Sequence, residues 1–388
     1  MSEHNYDDGS LGVARLVEAG AVVGDGVRAW LGSDLHVGAG VRIGSGVVLV
    51  ADRLVLGDDV RIGADADVRS TKIELGARTE LLPGVRVLVA DEFSVGPAGR
   101  IEGAVSIVCR TFSAGRLFYF GHDSAVGYGG TTASTAHVHL GDRVALGPHN
   151  ILNANLPIEL GDQVGSGCNL SIWTHGFHFG HRLSDGYDAT FEGVRVEPNV
   201  WLGFHVSVLP GVTIGPNTIV AAGAVVSRDL PGDVLAGGIP AKPIKPLEPA
   251  PLADEALWAQ IESLLDAWCT ELAWKGVEHE RTGPRRVRVG DVNVVCLDRH
   301  ESLEGTLHTD GPIVILTLDP RTDVLTDDPD RVVFELRTGV LHGRPTLVAH
   351  DLRDHLRRHA LPCGDEDTFR GLVSAPFARL TADVPLKP

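Results

Sequence analysis

Between residues 196 and 226 the chain reads VEPNVWLGFHVSVLPGVTIGPNTIVAAGAVV, and an aliphatic side chain returns at every sixth position: Val196, Leu202, Val208, Ile214, Val220 and Val226. The fifth position of each six is small or β-branched (Val200, Val206, Val212, Thr218, Ala224), and glycine follows the opening residue at Gly203 and Gly215. A period of six matches neither the helical repeat of about 3.6 residues nor the two-residue alternation of an ordinary strand. It suits a coil with three short flat faces, whose opening aliphatic points inward and whose corners take Gly, Asn, Asp or Pro.

The same pattern can be followed upstream. Openings at Val37, Ile43 and Leu49 are succeeded by Leu56, Ile62 and Val68, by Leu75, Leu81 and Val87, and by Val95, Ile101 and Ile107. Successive coils therefore begin 19, 19 and 20 residues apart, three sixes with one or two corner residues. The register blurs over 110–138, where one irregular coil with a small loop is expected. It returns at Leu140, Leu146 and Leu152 and again at Leu160, Ser166 and Ile172, before an excursion of about twenty residues. About nine coils, stacked at roughly 4.8 Å, make a prism on the order of 40–45 Å long. No coil buries its own faces, so the ends must be capped.

Four segments follow from this. Residues 1–21 read as a loose or partly helical lead-in, and 22–248 as the β-helix domain. That domain closes in LPGDVLAGGIPAKPIKPLEPAP, whose Pro, Gly and Lys are expected to end the strand ladder. Over 249–275, Leu257, Ile261, Leu264, Leu265, Trp268 and Leu272 recur at helical spacing, so an amphipathic helix is expected to pack back on the prism. In 276–388 the runs VRVGDVNVVCL, PIVILTL, RVVFEL and PTLVAH look β-like, with a helix near 351–360, giving a small α+β domain.

Composition narrows the partners. The 47 glycines, single methionine and 5% aromatic content suit stacked coils with tight corners. A formal charge of −17 argues against sequence-independent nucleic-acid binding, which needs a basic face. No stretch of 18 apolar residues occurs and the start MSEHNYDDGS is polar and acidic, so neither membrane insertion nor a signal peptide is expected. The five cysteines (Cys109, Cys168, Cys269, Cys296, Cys363) are odd in number, scattered and without a CxxC pair, which fits free thiols in a cytoplasmic setting.

Over 157–244 the run IELGDQVGSGCNLSIWTHGFHFG, then NVWLG, PGVTIG, AAGAVV, the SRDLP corner and GGIPAKPI, resembles the hexapeptide-repeat acyltransferases, above all their maltose/galactoside O-acetyltransferase branch. About 90 residues carry the resemblance closely, and the rest of the β-helix carries it in pattern only. It implies a mainly β chain built on a left-handed parallel β-helix, a homotrimer, and acyl transfer from acyl-CoA, chiefly acetyl-CoA, to a hydroxyl or amine. The expected acceptor is a sugar or glycoconjugate precursor. Handedness comes from the resemblance alone, since the general crossover rule favours right-handed connections.

Carried over residue by residue, the family's general base falls at His175, with His178 as substitute. An imidazole poised near neutral pH can take the proton of an attacking hydroxyl. Backbone donors for the thioester and pantetheine arm match Gly203 and Phe204, with Ala222 along the arm. Phe204 departs from the small residue usual there, which bears on groove shape and acyl length. Lys242 and Lys245 match basic residues near the nucleotide phosphates, and solvated surface lysines would look the same. Asn153 and Asn155 match acceptor-binding positions, although a corner Asn also caps turns. Trp201 matches an aromatic beside the acceptor, and Glu192 in the excursion could orient the base or touch the acceptor.

No metal is expected on this reading. A rival on the same fold, a zinc-dependent carbonic-anhydrase-like enzyme, would use His122, His137, His139, His149, His175 or His178 as ligands. A third reading is a non-catalytic trimeric scaffold. Nucleotidyltransferases carry such β-helices too, but need a Gly-rich phosphate loop ahead of them, and the coils begin by about Val22.

Overall fold

The structure is a computed structural model describing residues 8–127, 129, 133–176, 180–301, 311–325 and 328–364. The chain divides into two compact units, Met1–Pro249 and Ala250–Lys387.

The first unit is a parallel β-helix, and its interior explains the period of six. The opening residues Leu202, Val208, Ile214, Val220 and Val226 are all 0% exposed. The fifth positions Val200, Val206, Val212, Thr218 and Ala224 are buried as well, so two residues of every six point inward, not one. Each face is a two-residue strand such as Trp201–Leu202, Ser207–Val208 or Thr213–Ile214. Between strands the chain turns through a left-handed backbone conformation, at Asn199, His205, Gly211, Asn217 and Gly223. That region tolerates Gly freely and Asn or His better than branched residues.

One face forms a 12-stranded sheet in which each strand hydrogen-bonds to the equivalent strand of the next coil, from Val22–Val23 to Val234–Gly238. Eleven of its strands are parallel, so the helix has eleven levels on this face among the described residues, rather than about nine coils. The other two faces share a 15-stranded sheet. In the early coils they run together as long strands, Arg28–Val37, Val48–Leu56, Arg86–Val95 and Ser106–Ala114. Two ladders shift register at a bulge, at Leu31/Asp34 and Cys109/Thr111.

The coil expected to be irregular over 110–138 is regular on two faces: Tyr119 pairs with Arg100 and Val126 with Ile107. Among the described residues the next strand after Ala125–Val126 is His137–Leu140, so the surplus falls between these two. Inside, Phe93, Phe112, Phe118 and Phe120 form a chain of ring contacts at 5.7–5.9 Å. Below them sits one fully buried polar residue with every group used. Asn150 donates through Nδ2 to Ser166 Oγ at 2.8 Å and accepts from Leu170 N at 2.8 Å, while its own amide reaches Ser124 Oγ at 3.0 Å.

Both ends are covered. The lead-in segment holds a helix, α1 (Ser10–Glu18), whose Leu16 is fully buried in the prism core and whose Arg15 donates to the carbonyls of Leu31 and Gly32. At the far end the Pro/Gly/Lys segment does not stop the ladder as expected. Val234–Gly238 adds a last parallel rung, and Ala241–Pro246 folds back antiparallel upon it. An edge strand has no further neighbour to receive its N–H groups, which is where Pro243 and Pro246 can be accommodated.

The second unit is a six-stranded mixed sheet whose three central strands, Val292–Leu297, Ile313–Thr317 and Arg331–Glu335, are parallel. The helix anticipated over 249–275 is α2 (Asp254–Lys275). Its buried Trp258, Ile261, Leu265, Trp268 and Leu272 belong to the core of this unit rather than to the β-helix. PTLVAH, read as β-like, is instead the start of α3 (Leu347–Arg358): Thr346 Oγ1 caps Ala349 N, and Ala349, Leu352 and Leu356 are buried at helical spacing. The two helices meet through a buried ion pair, Lys275 with Asp351, which also accepts from Trp268 Nε1 at 2.9 Å.

Asp351 is only 2% exposed. Lys275→Met should therefore cost about 3–5 kcal/mol, because a carboxylate is left buried without its cation. The double variant Lys275→Met/Asp351→Asn should recover much of that loss while keeping an acceptor for Trp268. Denaturant unfolding followed by tryptophan fluorescence reads both, and an unchanged midpoint in Lys275→Met would contradict the assignment.

Candidate active site

The excursion over 127–136 and the longer one over 174–193 leave the helix at the same corner, between its second and third faces. The first follows Ala125–Val126 and the second follows Ser171–Trp173. The corner of the intervening coil carries Asn153 and Asn155.

Thr174 ties these pieces together. It is 0% exposed, and its Oγ1 donates to Asn153 O at 2.7 Å while accepting from Asn155 N at 2.8 Å and Leu156 N at 3.1 Å. Its carbonyl accepts from Glu192 N at 3.1 Å, closing the long excursion at its base. One residue on, His175–Gly176 pairs antiparallel with Thr190–Phe191. The imidazole stacks on Phe191 with centroids 5.9 Å apart and meets Trp173 edge-on at 6.3 Å. A Cβ at Gly129 would lie 3.5 Å from His175 Cε1 and 3.9 Å from both Asn153 Nδ2 and Asn155 Oδ1. Gly129 thus brings bare backbone to the imidazole and the two amides.

His175 opens onto a cleft of about 500 Å³ lined by Trp173, Gly176, Thr190, Leu209, Pro210 and Ser227. Leu209, Pro210 and Ser227 occupy the same corner of the two following coils, so the cleft runs down one edge of the prism. A half-buried imidazole held by two aromatic rings beside two amide side chains can exchange a proton with a polar molecule seated in that cleft. His178 lies outside the described residues. Glu192 joins this corner, but its carboxylate is laid on Gly211: a Cβ there would fall 3.1 Å from Glu192 Cδ.

The remaining expected residues gather at a different corner, between the first and second faces. A Cβ on Gly203 would come within 2.6 Å of Ala222 N, and one on Gly167 within 2.9 Å of Phe204 N, so the backbones of consecutive coils lie close there. Phe204 is 52% exposed with its ring 4.0 Å from that of His205. Trp201 lies across Gly165, where a Cβ would meet its ring at 2.8 Å. Lys242 and Lys245 stand exposed on the terminal hairpin opposite Gly237 and Leu235. A Cβ on Gly237 would touch Ala221 Cβ at 3.0 Å, which sets this hairpin one level from Ala222. Within one chain, then, His175, Asn153, Asn155 and Glu192 share one edge, and Gly203, Phe204 and Ala222 share another.

The histidines of the zinc reading are dispersed. His137 and His139 hydrogen-bond the hydroxyls of Thr111 and Ser113 on the third face, and His175 is at its own corner. Among the described residues of this set, only His122 and His149 adjoin one another. Thr174 and Gly129 are the site residues that sequence reasoning did not single out.

Comparison with known proteins fits this architecture. The family described as bacterial transferase hexapeptide (six repeats) matches residues 193–228. A Schizosaccharomyces pombe protein named as an acetyltransferase is 34% identical over 172 residues, covering 44% of this chain and 68% of that protein. The galactoside O-acetyltransferase of Escherichia coli K12 is 32% identical over 111 residues, 27% of this chain, and the match spans about half (55%) of that protein's length. A hexapeptide-repeat acetyltransferase from Vibrio cholerae, solved with acetyl coenzyme A, is 27% identical over 34% of this chain and 72% of its own, with a TM-score of 0.28. The chain belongs to the hexapeptide-repeat acyltransferase family.

Thr174→Val keeps the shape and removes the shared hydroxyl, leaving the amides of Asn155 and Leu156 without an acceptor. It should cost about 1–3 kcal/mol, and Thr174→Ser should restore most of it. Thermal unfolding of the two variants provides the comparison, and equal midpoints would remove Thr174 from this role.

Proposed function

We propose that the protein transfers an acetyl or other short acyl group from acyl-CoA to a hydroxyl, of a sugar or glycoconjugate precursor, with His175 as general base. The observation that carries this reading is that His175 opens onto a cleft at the same corner where Gly129 meets His175, Asn153 and Asn155. Similarity to a protein named galactoside O-acetyltransferase supports acyl transfer to a sugar hydroxyl.

In this mechanism the acceptor lies in the cleft against His175, while Asn153, 0% exposed, and Asn155 stand behind that lining near Gly129. His175 takes the hydroxyl proton as the oxygen attacks the thioester carbonyl. The tetrahedral oxyanion is met by preorganised backbone N–H groups. The C–S bond then breaks, the ester forms, and the imidazolium returns its proton to the departing thiolate. No covalent acyl-enzyme is needed.

The donor's place is the Gly203–Phe204–Ala222 edge, with Lys242 and Lys245 toward the nucleotide phosphates. Because that edge and the His175 edge are different corners of one prism, the reading calls for a neighbouring chain to complete each site, as in a homotrimer. The exposed Phe204 ring would narrow the thioester groove and favour short acyl groups. A cytoplasmic setting accords with five free cysteines, of which Cys109, Cys296 and Cys363 have thiols that burial pushes up to about 12. Among the described residues no helix is long and apolar enough to cross a membrane.

His175→Ala should lower turnover by about 10²–10⁴-fold with acetyl-CoA affinity nearly intact. Release of free CoA in the presence of a sugar panel measures the first, and equilibrium binding the second. Full activity in this variant would end the assignment, and full activity lost instead in His178→Ala would move the base to that residue.

Sharing of the site between chains has its own test. Homo-oligomers of His175→Ala and of Ala222→Trp, a block in the proposed donor groove, should both be inactive. Mixed oligomers refolded together should regain part of the activity at sites built from one intact half of each. An active monomer, or mixed oligomers that stay inactive, would refute the shared site.

A further inference from the structure

At the corner after the first face, stacking places three side chains of metal-ligating type in one group. His122 and Asp123 follow the strand Tyr119–Phe120, and His149 follows Ala145–Leu146 one coil further on. The two coils are joined at this corner by the His149 amide, which donates to His122 O at 3.0 Å. Asp123 and His149 both take the left-handed corner conformation, at φ 55° and 60°, and stack at equivalent positions. The imidazole centroids are 5.0 Å apart with the rings near perpendicular, and His122 Nδ1 lies 2.8 Å from Asp123 Oδ2.

One ligand atom from each of the three residues lies within 4.8 Å of the others. Atoms bound to zinc at roughly 2.0–2.2 Å stand about 3–4 Å from each other, so closing this group on an ion needs only small side-chain rotations. All three are exposed, so water and ions reach them without any movement of the backbone.

We infer that His122, Asp123 and His149 bind one divalent transition-metal ion of the zinc class. Two imidazole nitrogens and one carboxylate oxygen select zinc, copper, nickel or cobalt over calcium or magnesium, which favour all-oxygen sites. Three protein ligands leave a fourth position for water. The site is separate from the His175 corner, and its role follows from where its ligands come in the chain. The ion joins two successive coils, and the residues between its ligands include the excursion over 127–136. It therefore cross-links these two successive coils at the corner that precedes the Ala125–Val126 strand.

The test uses the full chain stripped with a chelator. Titration with ZnCl₂ should show saturable binding at one ion per chain that MgCl₂ and CaCl₂ do not compete away, and a higher Tm at saturation. Added CoCl₂ should produce visible absorption bands that zinc then removes. His149→Gln should weaken zinc binding at least 30-fold and His122→Gln/His149→Gln should remove the cobalt bands, whereas His137→Gln, on another face, should leave both unchanged. Absence of zinc binding in the wild-type chain, an unaltered affinity and spectrum in the double variant, or equal competition by magnesium would overturn the assignment. The cobalt spectrum reports on the wild-type protein directly, so the inference can fail even where a variant folds poorly.

Discussion

Every feature of the first unit depends on one constraint: the inward side chains of a coil are buried only by the coils above and below it. A two-residue strand such as Ser207–Val208 has no stability of its own. Val208 is fully buried because its strand pairs with both Ser171–Trp173 and Val225–Val226, with Ile172 and Val226 as the stacked partners. The requirement repeats without interruption from α1 to the terminal hairpin, and it is relaxed only at corners. A corner contributes one inward residue and three outward ones, and backbone pairing continues on the faces whatever the corner does. Insertions are therefore tolerated there and nowhere else.

This explains why polar chemistry gathers at edges. The 127–136 and 174–193 excursions both emerge at one corner, and Asn153 and Asn155 lie at the corner between them. Because coils stack at roughly 4.8 Å, residues 20 or more apart in sequence become lateral neighbours. Thr174 exploits that: one hydroxyl satisfies two amides and a carbonyl of the coil above, and so fixes the direction in which His175 leaves the helix. The same stacking brings His149 against His122 at a neighbouring corner.

How legible this was in the sequence follows the same division. The period of six was visible because its inward positions admit only aliphatic or small residues, and Val196 through Val226 repeat without error. His175 was singled out by the resemblance to the acyltransferase family, with His178 as substitute, since its place just beyond a coil-ending strand does not by itself separate it from its neighbours. Thr174 could not be singled out, since a hydroxyl's value there lies in bonds to residues 18–21 positions away. The blurred register over 110–138 hid a coil that is regular on two faces, because one insertion offsets every later opening. The Ala241–Pro246 strand was missed because proline argues against a central strand but not against an edge. PTLVAH was misread because its leucine, valine and alanine suit either state, and the cap at Thr346 decides it only once Ala349 N is seen to need an acceptor.

The separation of His175 from Gly203, Phe204 and Ala222 has the same origin. A strand pair with its turn advances the chain from one edge to the next, so residues at successive corners of one coil point away from each other across a flat face. No side-chain motion can bring an imidazole at one edge to a backbone amide at another while the faces stay packed. Reaction distances of roughly 3–3.5 Å between base, acceptor and thioester are therefore out of reach within a single prism if both edges take part. Two prisms laid side by side, edge against edge, have no such difficulty, because the corner of one then faces the corner of the other. On the proposed mechanism, then, the rigidity of the fold would leave a solitary chain a poor catalyst, and a second chain would have to supply the missing edge.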